Sequence, residues 1–317
     1  MLASAWRGAR GDEGEAVHDM QLDAPRSVKD DRGKTLTFTN TPRRIATVSY
    51  FGADTALALG IKPVASTYLV RGRAPAYLCG RMDGVRDLGQ RAAANLELLT
   101  RSRCDLIIAM RRYTEAHAGR LEQIAPYLAL DLETFDDSDR SIALVGEALG
   151  KPREAARLNR RFGETLARYR DGAARIARPR RYLFIWGSGT APWAFYDENM
   201  TCSLLNALGG VNVAGRNPLP AQRDNTAFQM SLEAILLADP QVIFVYDDGP
   251  ADAFENNPVW QHLHSVRGAR VIRVGDHWIE SFGPMARNAV LAEAAHALHP
   301  REFAAVDLCA LASQRGG

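Results

Sequence analysis

Cysteine is scarce in this chain: Cys79, Cys104, Cys202 and Cys309 are four among 317 residues, widely separated and without a CxxC pair. That spacing argues against a zinc site and against a dense disulfide framework, and it leaves open the redox compartment and any bridge between Cys79 and Cys104. Long apolar runs are missing as well. The longest are short stretches such as Ala234 to Ala238 and Val242 to Tyr246, so no segment reads as a membrane span. The formal net charge is only +2, and no basic run is interleaved with aromatics, which argues against nucleic-acid binding. Nucleophile-elbow, phosphate-loop and zincin motifs are absent, and Gly187-Ser188-Gly189 lacks the spacing of a dinucleotide site and reads as a turn. His262 with His264, and His296 with His299 beside Glu293, have no cysteine close by and read as structural histidines rather than metal ligands. Neither catalytic chemistry nor an intrinsic cofactor or metal is expected.

What is present is a globular composition, 46% hydrophobic and 24% charged, in a chain long enough for two domains. Residues 1–26 are polar and aperiodic and read as a mobile leader. They carry Arg7, Arg10, Asp12, Glu13 and Glu15 and no apolar h-region, so they do not read as a secretory signal. That leaves a cytoplasmic protein or an export signal outside this chain. Beyond them, buried-strand candidates alternate with helices: Arg44 to Ser49, Pro63 to Thr67, Asp105 to Met110 and Leu128 to Leu132, then Arg181 to Trp186, Val242 to Tyr246 and Arg270 to Val274. Tyr68 to Gly89 reads as loop. The alternation predicts α/β architecture, two lobes (27–150 and 178–300) with mostly parallel sheets, and a tail at 301–317.

Between the lobes, at 151–177, Pro152 to Ile176 shows one helical face: Ala155, Leu158, Phe162, Leu166, Tyr169, Ala173 and Ile176. Pro152 suits a first turn, Glu154 faces the positive end of the dipole, and Pro179 stops the helix. About 25 residues at this rise give a strut of roughly 37 Å. The lobes also echo each other: NLELLTRSRCDLIIAM from Asn95 aligns without gaps on SLEAILLADPQVIFVY from Ser231, a cap, Leu-Glu, a helical turn and a buried strand.

In open α/β sheets ligands bind beyond the carboxyl ends of the strands. Those loops hold Tyr68, Arg71, Arg73, Arg91, Arg111, Arg112 and Tyr113 in the first lobe, and Trp186, Trp193, Tyr196, Arg223, Trp278 and Arg287 in the second. Guanidinium forks with aromatic faces suit a flat, anionic, multidentate ligand.

The ordered signatures Thr41-Pro42-Arg43-Arg44-Ile45-Ala46, Asn95-Leu96-Glu97-Leu98-Leu99, Asp105-Leu106-Ile107-Ile108, Gln123-Ile124-Ala125-Pro126, Ser231-Leu232-Glu233, Asn257-Pro258-Val259-Trp260 and Asp276-His277-Trp278 resemble the periplasmic binding proteins of ABC iron importers, in the ferric-siderophore branch. The resemblance runs from about Ser27 to Pro300. It implies two lobes joined by one helix, a monomer without enzymatic activity, periplasmic location, and delivery of a ferric siderophore from the interlobe cleft to a membrane permease. By position it places Arg91, Tyr113, Arg111 or Arg112, and Trp278 on the ligand. It also assigns Glu97 and Glu233 to docking on permease arginines. Where hydroxamate binders place a further tryptophan, this chain has Asn225. The alternatives are an intracellular chaperone or sensor for a metal chelate, and the same fold binding haem or a corrinoid.

Overall fold

The computed structural model describes residues 21–313 apart from 177, 188, 247, 249–252 and 269. Seven strands precede the long helix: β1 (Gln21–Lys29), β2 (Thr35–Asn40), β3 (Ile45–Val48), β4 (Ala65–Tyr68), β5 (Arg86–Gln90), β6 (Leu106–Met110) and β7 (Tyr127–Leu130). β1 and β2 form an antiparallel hairpin, and the other five make a parallel sheet in the order β5-β4-β3-β6-β7. Two expectations change here. Residues 21–26, expected in a mobile leader, belong to β1, and residues 1–20 of that expected leader lie outside the described residues. The stretch expected to be loop up to Gly89 contributes β5, an edge strand whose Arg, Asp and Gly content hides it.

After the helix come β8 (Arg180–Trp186), β9 (Trp193–Phe195), β10 (Gly210–Asn212), β11 (Ala227–Gln229), β12 (Val242–Tyr246) and β13 (Val271–Val274). β8, β12 and β13 are parallel neighbours, β10 joins β8 in parallel, and β9 and β11 add an antiparallel edge. The turn expected at Gly187-Ser188-Gly189 includes Ser188, which lies outside the described residues.

Central strands here are apolar throughout because both faces are covered. Leu106, Ile108 and Met110 of β6, Tyr182 and Phe184 of β8, and Val242, Phe244 and Tyr246 of β12 join one hydrophobic cluster that runs through both lobes. The alternate residues, Ile107 with Ala109, and Leu183, Ile185, Ile243 and Val245, enter a separate outer core in each lobe. The lobes therefore share a packed interior as well as a tether.

The tether is the helix Pro152–Ala173. It ends three residues before the predicted Ile176, because its last turn tightens: Arg175 N–H donates to Gly172 O at 3.3 Å and Ile176 N–H to Ala173 O at 2.9 Å. Ala155 and Phe162 on its apolar face are buried, with Leu158, Leu166 and Tyr169 packed against the core. It lies against the helices Phe135–Ala148 and Pro284–Leu298. Close approach to the first depends on Gly146, where a Cβ would stand 2.4 Å from that of Ala155. Arg287 bolts the three helices together. Its guanidinium donates to Asp139 at 2.6 Å, Ser138 at 3.1 Å and Asn159 at 2.9 Å, and lies 4.1 Å above the Phe162 ring. It is therefore a framework residue and not the cleft arginine that the sequence offered.

Residues 301–317, which read as a weak helix and a frayed tail, contain the helix Leu308–Ser313, and Cys309 is disulfide-bonded to Cys79 of the first lobe. Cys104, considered as a partner for Cys79, is free and buried, as is Cys202.

Candidate functional site

The carboxyl ends of both sheets face one another across a cleft of about 410 Å³. Arg91 follows β5, Arg112 and Tyr113 follow β6, and Leu132 and Glu133 follow β7. The second lobe contributes Trp186 at the end of β8, Trp193 and Phe195 of β9, Asn199 capping the helix Met200–Ala207, Asp224, Thr226 and Ala227 at the start of β11, and Ile279 and Phe282 after β13. Aromatic walls with a few charged groups describe a small-molecule site.

Arg91 is buried at the cleft floor. It forms an ion pair with Glu280 of the opposite lobe, donates to the Tyr113 hydroxyl at 3.0 Å and lies 4.2 Å from that ring's centre. Glu280 is 1% exposed, and its second oxygen accepts the N–H of Tyr50 at 2.7 Å and of Phe51 at 3.2 Å. One carboxylate thus caps the first-lobe helix Tyr50–Ala58 and neutralises Arg91. Arg112 is held more lightly. It stacks 4.9 Å from the Tyr113 centroid and donates to Thr226 Oγ1 at 3.3 Å, and its buried Nε–H meets no acceptor among the described residues. No carboxylate pairs with it among those residues.

Other predicted ligand residues lie elsewhere. Arg111 is buried and turned into a carboxylate cage. It bonds Asp131, Glu115 at 2.6 Å and Asp224 at 3.0 Å, and so clamps the first lobe to the second-lobe loop before β11. Arg223 of that loop returns to Asp131 at 2.6 Å. Trp278, placed on the ligand by resemblance, is a core residue, stacked 4.8 Å from Phe244 and donating to Glu293 at 2.6 Å. Tyr68 is buried edge-on against Tyr50, Arg71 is exposed away from the cleft lining, and Tyr196 stacks on Phe228. Arg73 crosses the lobes to Asp276 at 2.7 Å. Asn225 pairs with Asn217 and shapes its own loop. Of the thirteen strand-end residues that the sequence offered, Arg91, Arg112, Tyr113, Trp186 and Trp193 line the cleft.

Sequence reasoning missed Glu133, Asn199, Asp224 and Glu280. Glu133 follows β7, so the rule that gave the arginines would have found it. For Glu280 no local signal exists, since its partner Arg91 is 189 residues away.

A second floor contact joins the lobes. Asp54 is fully buried and accepts the N–H of Met285 at 2.9 Å and of Ala286 at 2.7 Å, capping the helix Pro284–Leu298. Burial pushes its carboxyl up to about 6 despite those bonds. The fit requires Gly283, where a Cβ would meet the Asp54 carboxylate at 2.4 Å. Among the described residues no group of three or more His, Cys, Asp or Glu is placed to hold a metal. Glu293 is occupied by Trp278 and His277, while His296 and His299 bond the carbonyls of Phe303 and Leu208.

Glu97 and Glu233 lie on the outer surface, each in the first turn of a short helix capped by Asn95 and Ser231 respectively. Both are exposed, and Glu97 also meets Arg101 at 2.7 Å.

Three comparisons bear on this arrangement. The iron(III) dicitrate-binding periplasmic protein FecB of Escherichia coli K12 is 27% identical over 301 residues, covering 88% of this chain and 92% of FecB. Among solved structures, Staphylococcus aureus SirA complexed with staphyloferrin B superposes with a TM-score of 0.69 at 26% identity, over 86% of this chain and 98% of SirA. The sequence profile of a family described as periplasmic binding proteins matches residues 45–277, strands β3 to β13 and the joining helix. The chain belongs to the periplasmic binding protein family.

Proposed function

We propose that this is the substrate-binding protein of an ABC importer, taking a ferric-siderophore-type chelate into the interlobe cleft and passing it to a membrane permease. The family is non-catalytic and periplasmic, which removes the intracellular alternative. The Cys79–Cys309 disulfide is in keeping with an oxidising compartment. FecB is named for iron(III) dicitrate and SirA was solved with staphyloferrin B, so chelates of this class are the ligands of relatives that share the whole fold.

Arg112 carries the reading: a guanidinium at a cleft walled by Tyr113, Trp186, Trp193 and Phe195, held by Thr226 and the Tyr113 ring with no carboxylate paired to it among the described residues. An oxygen-rich chelate supplies the acceptor and the charge, and the aromatic faces cover its carbon skeleton. Arg91 stands beside it with its charge already balanced by Glu280, and presents Tyr113 to the ligand. The monomer docks through Glu97 and Glu233, one on each lobe, on basic residues of the permease.

Trp186 and Trp193 report occupancy directly. Titration with ferric dicitrate, ferric hydroxamate and ferric catecholate chelates, haem and cobalamin is expected to quench tryptophan fluorescence with at least one ferric chelate. Quenching by haem or cobalamin alone would refute the assignment.

A further inference from the structure

Among the described residues four charged ones line the cleft, Arg91, Arg112, Glu133 and Asp224. Two are cancelled where they stand: Arg91 by Glu280, and Asp224 by Arg111 at 3.0 Å. Arg112 and Glu133 remain, one charge of each sign. Glu133 is reached from both lobes. Its Oε1 accepts the backbone N–H of Asp224 at 3.1 Å, and its side chain keeps 21% of its exposure. The nearest guanidinium, Arg111 at 3.9 Å, is already shared by Glu115, Asp131 and Asp224. Arg223 is engaged with Asp131. At this end of the cleft two guanidinium groups, Arg111 and Arg223, face four carboxylates, Glu115, Asp131, Glu133 and Asp224, and Arg112 offsets only part of the excess. Partial burial and the neighbouring Asp224 push the Glu133 carboxyl up to about 6, while Arg112 pulls it down.

A ligand with anionic groups alone would satisfy Arg112 and set further negative charge beside Glu133. A ligand with a cation at that end would answer both, and the indole faces of Trp186 and Trp193 on the same lining favour a cation further. We infer that the cleft selects a ferric chelate bearing a cationic group, an ammonium or guanidinium, with Arg112 holding its anionic oxygens and Glu133 as the specificity-determining acceptor of the cation. This rests on the chelate-binding reading above and deepens it.

Matched chelates that differ only in one ammonium test it. Ferrioxamine B carries a free primary ammonium, and N-acetylferrioxamine B is the same chelate without it. A ferric citrate complex amidated with ethylenediamine and its N-acetylated form make a second pair, with ferric dicitrate as the anionic reference. In at least one pair the ammonium form is expected to bind tenfold or more tightly than the acetylated form at pH 7.5. Glu133→Gln keeps an oxygen for the Asp224 N–H and is expected to remove the preference. In the native protein the preference should fade as the pH drops through about 6, where Glu133 takes up a proton. Arg111, Arg112, Arg223, Asp131, Asp224 and Glu115 face Glu133, so the glutamine variant at each pH isolates its share. Equal affinity within both pairs, or a preference that survives Glu133→Gln, overturns the inference. Binding of ferric dicitrate without either ammonium chelate overturns it and leaves chelate binding standing, whereas failure of every ferric chelate removes both.

Discussion

Replacing Glu280 with glutamine strikes the contact that holds the lobes at the cleft floor. The carboxylate serves two partners, the buried Arg91 guanidinium and the first N–H groups of the helix Tyr50–Ala58. Glutamine keeps one oxygen, enough for the N–H groups of both Tyr50 and Phe51, but turns an NH2 toward Arg91, donor against donor. Arg91 is only 8% exposed, and its remaining side-chain hydrogen bond is to the Tyr113 hydroxyl. Removing one partner of a buried ion pair costs about 3–5 kcal/mol, because the other charge stays desolvated. Loss of the anion at the helix terminus adds up to about 1 kcal/mol. The sum is a large share of the roughly 5–15 kcal/mol that stabilises an ordinary domain. Urea denaturation followed by tryptophan fluorescence and circular dichroism should therefore show Glu280→Gln less stable by about 3–6 kcal/mol. Arg91→Met with Glu280→Gln should cost less than the two single changes added, with a coupling of about 2 kcal/mol. A loss under about 1 kcal/mol, or strict additivity, would refute the account of the floor.

Three further outcomes are expected. Glu97→Ala combined with Glu233→Ala should abolish cellular uptake of a labelled chelate while leaving its affinity in a fluorescence titration unchanged; affinity lost together with uptake would place these residues at the ligand instead. Reduction of Cys79–Cys309, or Cys79→Ser with Cys309→Ser, opens a cross-link between residues 230 apart in sequence. The chain-entropy argument gives up to roughly 5 kcal/mol, seen as a lower denaturation midpoint, and an unchanged midpoint would show that the tail detaches before the lobes unfold. Burial holds the Asp54 carboxyl at about 6 in the fold against an ordinary 3.8, so the native state takes up its proton first and this group's contribution to stability rises as pH falls from about 7 to below 3.8. The difference corresponds to roughly 3 kcal/mol, and the slope should vanish in Asp54→Asn if this carboxyl is its source.

The lobes and strut were legible because they rest on periodicity. Val242 to Tyr246 and Leu96 to Arg101 form as read, since an apolar strand covered on both faces and a capped helical turn are local patterns. β5, β9, β10 and β11 were not, because three-residue strands and a polar one carry almost no pattern of their own. At the site, the rule that ligands sit beyond strand ends leads to residues around the cleft but could not say which way each side chain turns. Arg111 and Arg112 are adjacent, and one is caged by carboxylates while the other faces the cleft. That choice depends on Asp224, 113 residues further along. Trp278 shows the same limit from the other side, since its core position follows from Phe184, Phe244 and Glu293.

The strut alone does not set how far the lobes move. One helix resists bending through its own hydrogen bonds, but it leaves twisting at its ends to be restrained by something else. Here the restraint is shared: a hydrophobic cluster continuous through both lobes, Arg287 across three helices, and two carboxylates, Asp54 and Glu280, each capping a helix of the opposing half. Each cap pairs a buried charge with backbone donors that have no other partner at that position, so pulling the lobes apart would expose unsatisfied groups at both ends. The same bonds fix Arg91, and through it Tyr113, before any ligand arrives. Binding then has little ordering left to do in the protein, and affinity depends on how well a chelate fits charges already in place. A rigid frame of this kind recognises the arrangement of a ligand's charges, which is why the opposed Arg112 and Glu133 weigh more than the number of arginines around the rim.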